Sequence, residues 1–385
     1  MARLHAEMTA WRRELHAHPE IAFREHRTAE FVARTLAGFG LEVHAGLAGT
    51  GIVGTLRRGG GRRAIALRAD MDGLPMQEAN ELPYRSQFPG AMHGCGHDGH
   101  MAMLLGAARE LAEGGRFDGV VHFVFQPAEE NEGGGRVMVE DGLFERFPVE
   151  AVFGLHNWPG LPAGHLGVRS GPVMAAFDVF EVSLRGRGAH GAMPHLAIDP
   201  VVAAAEMISA FQTIVSRNVS PVEAAVVSVT QVQGGETWNV IPEEVRLRGS
   251  TRYFLLGVGR VVEEGVRRIA AGVARAFGAT ADVDYRHLYP ATVNDPGQTV
   301  IAARAAAEVV GADRLAADLP PSLASEDFAF MLQARPGCYA CVGNGPADGG
   351  RGLHSPHYDF NDEILPVGAA YWVRLAETIL ASPSP

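Results

Sequence analysis

The run HGCGHDGH, residues 93–100, holds the densest group of side chains that could do chemistry. Three histidines, one cysteine and one aspartate lie within these eight residues. The glycines between them permit tight backbone turns, so several of the side chains can converge on one point. Because imidazole, thiolate and carboxylate groups are the usual ligands of transition metals, the run predicts a metal site rather than a chance grouping of packed histidines.

A second group is the acidic run QPAEENE, residues 126–132, which directly follows the apolar run Val120–Phe125. If Val120–Phe125 is a strand, the acidic run lies at its carboxyl end, where open α/β sheets bind their ligands. Glu129 and Glu130 are adjacent and point in different directions, so one can bind a metal while the other handles a water molecule. A solvated acidic loop is the alternative interpretation.

Three further places repeat this pattern. Asp70 and Asp72 follow one strand-type run, His156 ends another, and His354 lies in the sequence LHSPHY. Any one of these residues alone would more often have a structural role. Their recurrence at predicted strand ends, together with the Cys/His run, favours one shared site.

Such a site needs a scaffold in which strand ends meet. Strand-type apolar runs alternate with helical periodicity in the first part of the chain, which indicates a largely parallel sheet covered by helices on both faces. Helices are predicted before Pro19, from about Glu25 to Gly38 and over Met101–Ala112, and His16 and His18 are expected to cap the first. The predicted strands are Gly51–Leu56, Ala64–Arg68, Val120–Phe125 and Ala151–Leu155.

The pattern changes near Gly171 to the order β, α, β, β, α, β, which fits a small α+β sandwich. Asp199 and Pro200 are suited to the N-cap and the first position of its first helix. The α/β alternation resumes after Tyr289 and Pro290. The predicted fold class is therefore α/β, with a discontinuous, mostly parallel-sheet catalytic domain (1–171 and 287–385) and an inserted α+β domain (172–286).

Composition excludes several classes of function. All 33 basic residues are arginine, and without lysine neither a phosphate-binding P-loop nor Schiff-base chemistry is available. The net charge of −11 argues against nucleic-acid or anionic-membrane partners. No apolar run reaches membrane-spanning length, no signal peptide is evident, and three cysteines are too few for a disulfide framework, so a cytoplasmic location is expected. Cys338 and Cys341 form a C-x-x-C that we interpret as part of a buried strand rather than a redox motif.

The runs RADMDGLP, HGCGHDGH, QPAEE, GLHNWP, GAHGAMPH and LHSPHY occur in this order along nearly the whole chain. Together they resemble the aminoacylase/carboxypeptidase family of binuclear metallopeptidases, metallopeptidase family 20. The likeness is to its amidohydrolase branch, which includes hippurate hydrolases, N-acyl-amino-acid aminoacylases and the plant auxin-conjugate hydrolases. The resemblance implies two divalent metal ions per subunit, with the ligands Cys95, His97, Glu130, His156 and His354.

The resemblance leaves the metal itself undecided. Cys95 matches a bridging position that many relatives fill with aspartate, and a thiolate there favours a soft metal such as zinc. Members of this branch are nevertheless commonly described with manganese, so Mn²⁺ and Zn²⁺ are both expected candidates, with Co²⁺ and Ni²⁺ as further ones. Asp70 departs from the wider family, which has a ligand histidine there, and His97 takes over as the ligand.

The remaining site residues are also implied by the resemblance. Glu129 matches the general base, and Asp72 matches a carboxylate that orients a metal-binding or neighbouring group. His190 matches a histidine of the lid that acts on the tetrahedral intermediate in the active site of the partner subunit, which implies a homodimer formed through a lid and dimerisation domain. Asn239 and Arg252 match the groups that hold the free carboxylate of the substrate, for which a guanidinium is well suited. An ordinary surface histidine and a strand-end arginine are the alternatives.

The function expected from this resemblance is hydrolysis of the amide bond of N-acyl-L-amino acids, hippurate-like or N-acetylated, to a carboxylic acid and a free amino acid. An N-acetyl-diaminopimelate deacetylase-type amidohydrolase is the first alternative. A non-catalytic metal-binding homologue is the second.

Overall fold

The computed structural model describes residues 2–130, 132–348 and 351–381. In chain order, its helices are α1 (His5–Ala17), α2 (His26–Gly38), α3 (His97–Gly114), α4 (Gly134–Glu140), α5 (Leu143–Arg146), α6 (Pro200–Thr213), α7 (Leu256–Ala276), α8 (Pro296–Val310), α9 (Phe328–Ala334) and α10 (Leu365–Ile379). The strands are β1 (Glu42–Leu47), β2 (Gly51–Arg58), β3 (Ala64–Asp70), β4 (Gly119–Gln126), β5 (Ala151–Pro159), β6 (Leu166–Gly167), β7 (Gly171–Met174), β8 (Ala176–Arg185), β9 (Ala189–His190), β10 (Ala225–Gln233), β11 (Val240–Ile241), β12 (Glu244–Tyr253), β13 (Thr280–Tyr289), β14 (Thr292–Asn294), β15 (Leu315–Ala316) and β16 (Gly337–Gly345).

The chain forms two compact units. The first comprises Met1–Val173, Thr292–Pro320 and Asp327–Pro385, and the second comprises Met174–Ala291 and Pro321–Glu326. Within the part of the chain that the structure describes, no helix is both long and apolar enough to cross a membrane.

The first unit is built on an eight-stranded sheet in the order β1-β2-β4-β3-β5-β16-β6-β15. Its central strands β4, β3, β5 and β16 are parallel to one another, and the antiparallel pairs lie toward the edges. Every residue of β3 and β4 is buried, so both faces of the sheet centre are covered. The predicted α/β class with a mostly parallel sheet is confirmed.

The helix that carries the Cys/His run begins earlier than the sequence predicted. Helix α3 starts at His97 rather than Met101, because Gly96 adopts a left-handed conformation (φ +92°) that turns the chain into the helix. A side chain at Gly96 would collide with the Asn157 amide and the Tyr358 hydroxyl. His97, Asp98 and His100 therefore lie in the buried first turn of α3, whereas His93 and Cys95 lie in the buried segment just before it.

The expectation for His16 is wrong. Its ring is fully buried, with Nδ1 at 2.8 Å from Asp98 Oδ2 and Nε2 at 3.3 Å from Glu78 Oε1. His16 lies on the same buried face of α1 as Arg12, one helical turn away, and that face packs into the protein. His18 does cap the helix, since its Nδ1 lies 2.8 Å from the carbonyl oxygen of Glu14.

The second unit is an α+β sandwich. Its antiparallel sheet has the order β10-β12-β8-β13, and residues of β8 alternate strictly between buried and more exposed positions. The buried side joins helices α6 and α7 in a separate apolar core that includes Phe180, Leu247, Phe211 and Val266. Asp199 caps α6 as predicted, accepting hydrogen bonds from the backbone of the first turn.

Candidate metal centre

The five predicted metal ligands lie together in the first unit. Cys95, His97 and His156 present ligand atoms within 4.8 Å of one another, and so do Cys95, Glu130 and His354. Cys95 Sγ is 3.5 Å from His156 Nε2, and His354 Nε2 is 3.2 Å from Glu130 Oε1. The cluster lies where β3 and β4 end and α3 begins, the edge of the sheet at which the sequence predicted a site.

The two buried histidines of this cluster are oriented as metal ligands are. His97 Nδ1 donates to the backbone oxygen of Asp72 at 2.9 Å, and His156 Nδ1 donates to that of Asn157 at 2.6 Å. A carbonyl oxygen can only accept, so in each ring Nδ1 carries the proton and Nε2 is left to bind a metal. This carbonyl–imidazole arrangement is the one that commonly supports zinc-binding histidines.

Two buried atoms of the cluster, His97 Nε2 and Glu130 Oε1, accept or donate no well-formed hydrogen bond among the described residues. The 3.2 Å contact between Glu130 Oε1 and His354 Nε2 does not have hydrogen-bond geometry. Unpartnered polar atoms are rare in protein interiors because each costs the desolvation of the group. A divalent cation would satisfy both atoms, so the donor set of this structure fits a metal.

The pKa shifts of the cluster point the same way. Burial, reinforced by the negative charges of Glu130 and Glu129, raises the pKa of the Cys95 thiol well above its usual range. Burial lowers the pKa of His97, but the carboxylates of Asp70 and Asp72 outweigh burial and raise this pKa to about 10. Both raised pKa values show that the surrounding carboxylates favour added positive charge at this site. A bound metal cation would supply that positive charge in place of the protons.

The loop that carries the glutamate pair is fixed by two acidic residues. The carboxylate of Asp72 accepts the backbone N–H groups of Glu129 (3.1 Å) and Glu130 (3.0 Å), one with each oxygen. Glu25 accepts the N–H of Ala128 at 2.9 Å, and Ala128 itself has the strained φ of +54°. The solvated-loop alternative is therefore wrong, since Glu129 is buried and the backbone around it is held in place.

Asp70 belongs to a buried network beside the cluster. Its carboxylate is 2.8 Å from Arg68 Nη1 and 2.6 Å from His100 Nδ1, whereas His97 Nε2 is 3.7 Å away. Asp70, His97 and His100 also form a group whose geometry could hold an ion. Because its oxygens already bind Arg68 and His100, we place Asp70 beside the metal centre rather than in it.

Three predicted site residues lie in the second unit. His190 on β9 pairs with Val240 on β11, and the N–H of Gly191 donates to the carbonyl oxygen of Asn239 at 2.7 Å, so His190 and Asn239 are neighbours. Arg252 is on β12 of the other sheet, where its guanidinium carbon lies 3.9 Å from the centre of the Phe177 ring. Such stacking holds the guanidinium plane in one orientation.

Cysteine, histidine and carboxylate ligands at the carboxyl edge of a mostly parallel sheet, with a buried glutamate beside them, define a metal-dependent hydrolase of α/β architecture. The family model described as peptidase family M20/M25/M40 matches residues 66–378. The chain belongs to this family, and the resemblance noted from its motifs is confirmed.

Individual relatives span almost the whole chain. A hippurate hydrolase of Campylobacter jejuni is 39% identical over 373 residues, which cover 97% of this chain and 96% of the relative. An N-acetylcysteine deacetylase of Bacillus subtilis is 38% identical over 378 residues, 98% of this chain and 97% of the relative. The crystal structure of a dinuclear metal-binding peptidase of the M20 family from Bacillus subtilis superposes with a TM-score of 0.87 at 35% identity, covering 99% of both chains. The protein is thus an enzyme, a metal-dependent amidohydrolase.

Proposed function

We propose that this enzyme hydrolyses the amide bond of N-acyl-L-amino acids and releases a carboxylic acid and the free amino acid. The observation that carries the proposal is the convergence of Cys95, His97, His156, Glu130 and His354 beside the buried Glu129. The hippurate hydrolase and the N-acetylcysteine deacetylase among its relatives support this substrate class. A hippurate-like aromatic acyl group is our first expectation, and the cytoplasmic location expected from the sequence stays a prediction.

The five converging residues would hold two divalent ions, as in the dinuclear relative. Such ions acidify a bound water and polarise the acyl carbonyl. The sulfur ligand favours Zn²⁺, whereas the resemblance of the motifs to the amidohydrolase branch favours Mn²⁺, so metal identity is part of the test below.

Glu129 is the general base in this proposal. Its carboxylate takes a proton from the attacking water and later delivers it to the nitrogen of the leaving amino acid. Asp72 has a positioning role. It accepts hydrogen bonds from two successive backbone N–H groups and so fixes the backbone from which the Glu129 side chain acts as base and the Glu130 side chain binds metal. A non-catalytic homologue would have no need of a buried base held in this way.

In the second unit, Arg252 and Asn239 would bind the free carboxylate of the substrate. Arg252 forms no ion pair with the described acidic residues, and its stacking on Phe177 leaves the edge of the guanidinium to a bidentate partner. His190 would donate a hydrogen bond to the tetrahedral intermediate from the partner subunit of a homodimer, as the resemblance implies.

A hydrolysis screen tests this proposal. The purified enzyme is depleted of metal, reloaded with Mn²⁺, Zn²⁺ or Co²⁺ in turn, and assayed on N-benzoyl, N-acetyl and indole-acetyl amino acids and on N-acetyl-diaminopimelate. Fastest turnover on a benzoyl or acetyl amino acid supports the proposal. Preference for N-acetyl-diaminopimelate would select the deacetylase alternative, and no turnover with any metal would select the non-catalytic one.

A further inference from the structure

Asn157, the residue after the proposed ligand His156, is fully buried and uses all of its polar atoms. Its side-chain amide donates to the carbonyl oxygen of Cys95 at 2.6 Å and lies 3.1 Å from His100 Nε2. Its side-chain oxygen accepts the Tyr358 hydroxyl at 2.8 Å. On the main chain, its N–H donates to His100 Nε2 at 2.9 Å and its carbonyl accepts from His156 Nδ1 at 2.6 Å.

These bonds join three stretches of the chain that each carry at least one proposed ligand: the run 93–100, strand β5 and the loop 354–358. Cys95 is itself a ligand, and His156 is adjacent to Asn157. His100 lies in the first turn of α3, three residues after the proposed ligand His97. Tyr358 lies four residues after His354 in the same loop.

The donor directions in this network are determined. A backbone N–H can only donate, so His100 Nε2 must accept and the ring must carry its proton on Nδ1. That proton is donated to Asp70, 2.6 Å away, which is paired with Arg68. The side chain of an aspartate in place of Asn157 could donate to neither Cys95 nor His100, so only the backbone N–H bond to His100 would remain, and the carboxylate would bring a charge beside a carbonyl oxygen.

We propose that Asn157 is a positioning residue that fixes the separation of Cys95 and His156, and thereby sets the affinity and geometry of the metal centre. Asn157 is not itself one of the proposed ligands. Removal of such an outer hydrogen-bond partner typically weakens metal binding by about 10–100-fold. The inference rests on the proposed ligand set. Its test must therefore distinguish an error in the role of Asn157 from an error in the ligand set.

The test compares Asn157→Asp with a matched control, Asn294→Asp. Asn294 is equally buried in the first unit, and its amide donates to the backbone oxygens of Arg169 (2.8 Å) and Tyr339 (2.9 Å), none of which is a proposed ligand. Both substitutions thus remove hydrogen bonds donated by a buried side-chain amide and add the same charge. Affinity for Co²⁺ is measured by chelator competition and stoichiometry by elemental analysis. The visible spectrum of the Co²⁺ protein reports the ligand geometry and the sulfur–cobalt charge-transfer band.

We expect Asn157→Asp to lower Co²⁺ affinity by about 10–100-fold and to alter the spectrum, whereas Asn294→Asp keeps wild-type affinity and spectrum. Wild-type affinity and spectrum in Asn157→Asp, or equal changes in both variants, would overturn the inference. If Asn157→Asp fails to fold, Tyr358→Phe decides, because it removes only the hydroxyl that anchors the amide. Altered spectrum and affinity then support the inference, and wild-type values contradict it.

A third variant, Cys95→Ser, makes failure of the ligand set distinguishable. If the Co²⁺ spectrum of Cys95→Ser is the same as that of the wild type, Cys95 is not a ligand and the proposed centre itself is wrong. If it abolishes the charge-transfer band while Asn157→Asp has no effect, the centre stands and only the role of Asn157 is refuted.

Discussion

His16 is predicted to make the stability of the first unit fall with alkaline pH. Burial lowers the pKa of this imidazole, but its contacts with the carboxylates of Asp98 and Glu78 outweigh burial and raise the pKa from 6.5 to about 9. The imidazolium is therefore favoured in the folded protein and less so in the unfolded chain. Its stabilisation is fully present below pH 6.5 and is lost as pH rises through 9.

The size of this effect follows from the two pKa values. The difference between 6.5 and about 9 is worth about 3 kcal/mol of unfolding free energy at 25 °C. The informative variant is His16→Gln, whose amide can still donate to the two carboxylates but does not titrate. The unfolding free energy of the wild type relative to this variant should fall by about 3 kcal/mol between pH 6.5 and 9.5.

Urea unfolding at a series of pH values, followed by tryptophan fluorescence, measures this difference. Trp11, Trp158 and Trp372 lie in the first unit and report on it, and taking the difference between the two proteins cancels the titration of the metal ligands. His122→Gln is the control, because burial already lowers the pKa of His122 to about 4 and it stays neutral throughout this range. A wild-type-minus-variant difference that stays flat from pH 6.5 to 9.5 would show that His16 is neutral and refute the reasoning.

Three further predictions concern turnover. Glu129→Gln should retain its metal content, measured by elemental analysis, yet lose about 10²–10⁴-fold in kcat, and a fully active variant would show that Glu129 is not the base. Arg252→Ala should raise KM for N-acyl amino acids about 10–100-fold through loss of a charged hydrogen-bond pair, with Arg252→Lys in between. An equal loss on amides that lack the carboxylate would contradict the clamp. Mixing Glu129→Gln with His190→Ala should restore roughly a quarter of wild-type activity, since half the dimers are mixed and each has one intact site. No recovery in verified mixed dimers would mean that His190 does not act across the subunits.

The residues of the candidate metal centre could be singled out from the sequence because most of them lie in short, local patterns, and the resemblance of the motifs to the family implied which of them are ligands. His97 and Cys95 share one glycine-spaced run, and Glu130 and His156 stand at or near the ends of buried strands. Alternation of strand-type apolar runs with helical periodicity predicts a largely parallel sheet covered by helices, which is why the fold class is also predictable. The limits of the strands are harder to predict than the fold class. Strand β5 continues to Pro159, so His156 lies inside the strand rather than after it.

What the sequence could not show are buried polar residues whose partners are distant in the chain. The sequence placed Glu25 at the start of a helix, yet its carboxylate accepts the backbone N–H of Ala128, 103 residues away. The sequence predicted His16 as a helix cap, although its ring contacts Asp98, 82 residues away. A signal for His16 was nevertheless present, because Arg12 stands one turn earlier on the same face of α1, among apolar residues. Two polar residues on the apolar face of a helix indicate a buried partner rather than a surface.

The positions of these residues suggest how the metal centre keeps its shape before an ion binds. Asp72 orients His97 through its backbone carbonyl and the Glu129–Glu130 backbone through its carboxylate. Asn157 does the same for His156 through its carbonyl and for Cys95 through its amide. Each residue thus couples the imidazole of a proposed ligand to a second segment that carries a proposed ligand. Since these side chains are already ordered by bonds within the protein, little conformational entropy would be left to lose when a cation binds, and the affinity of the proposed centre would depend on these two residues as well as on its ligands.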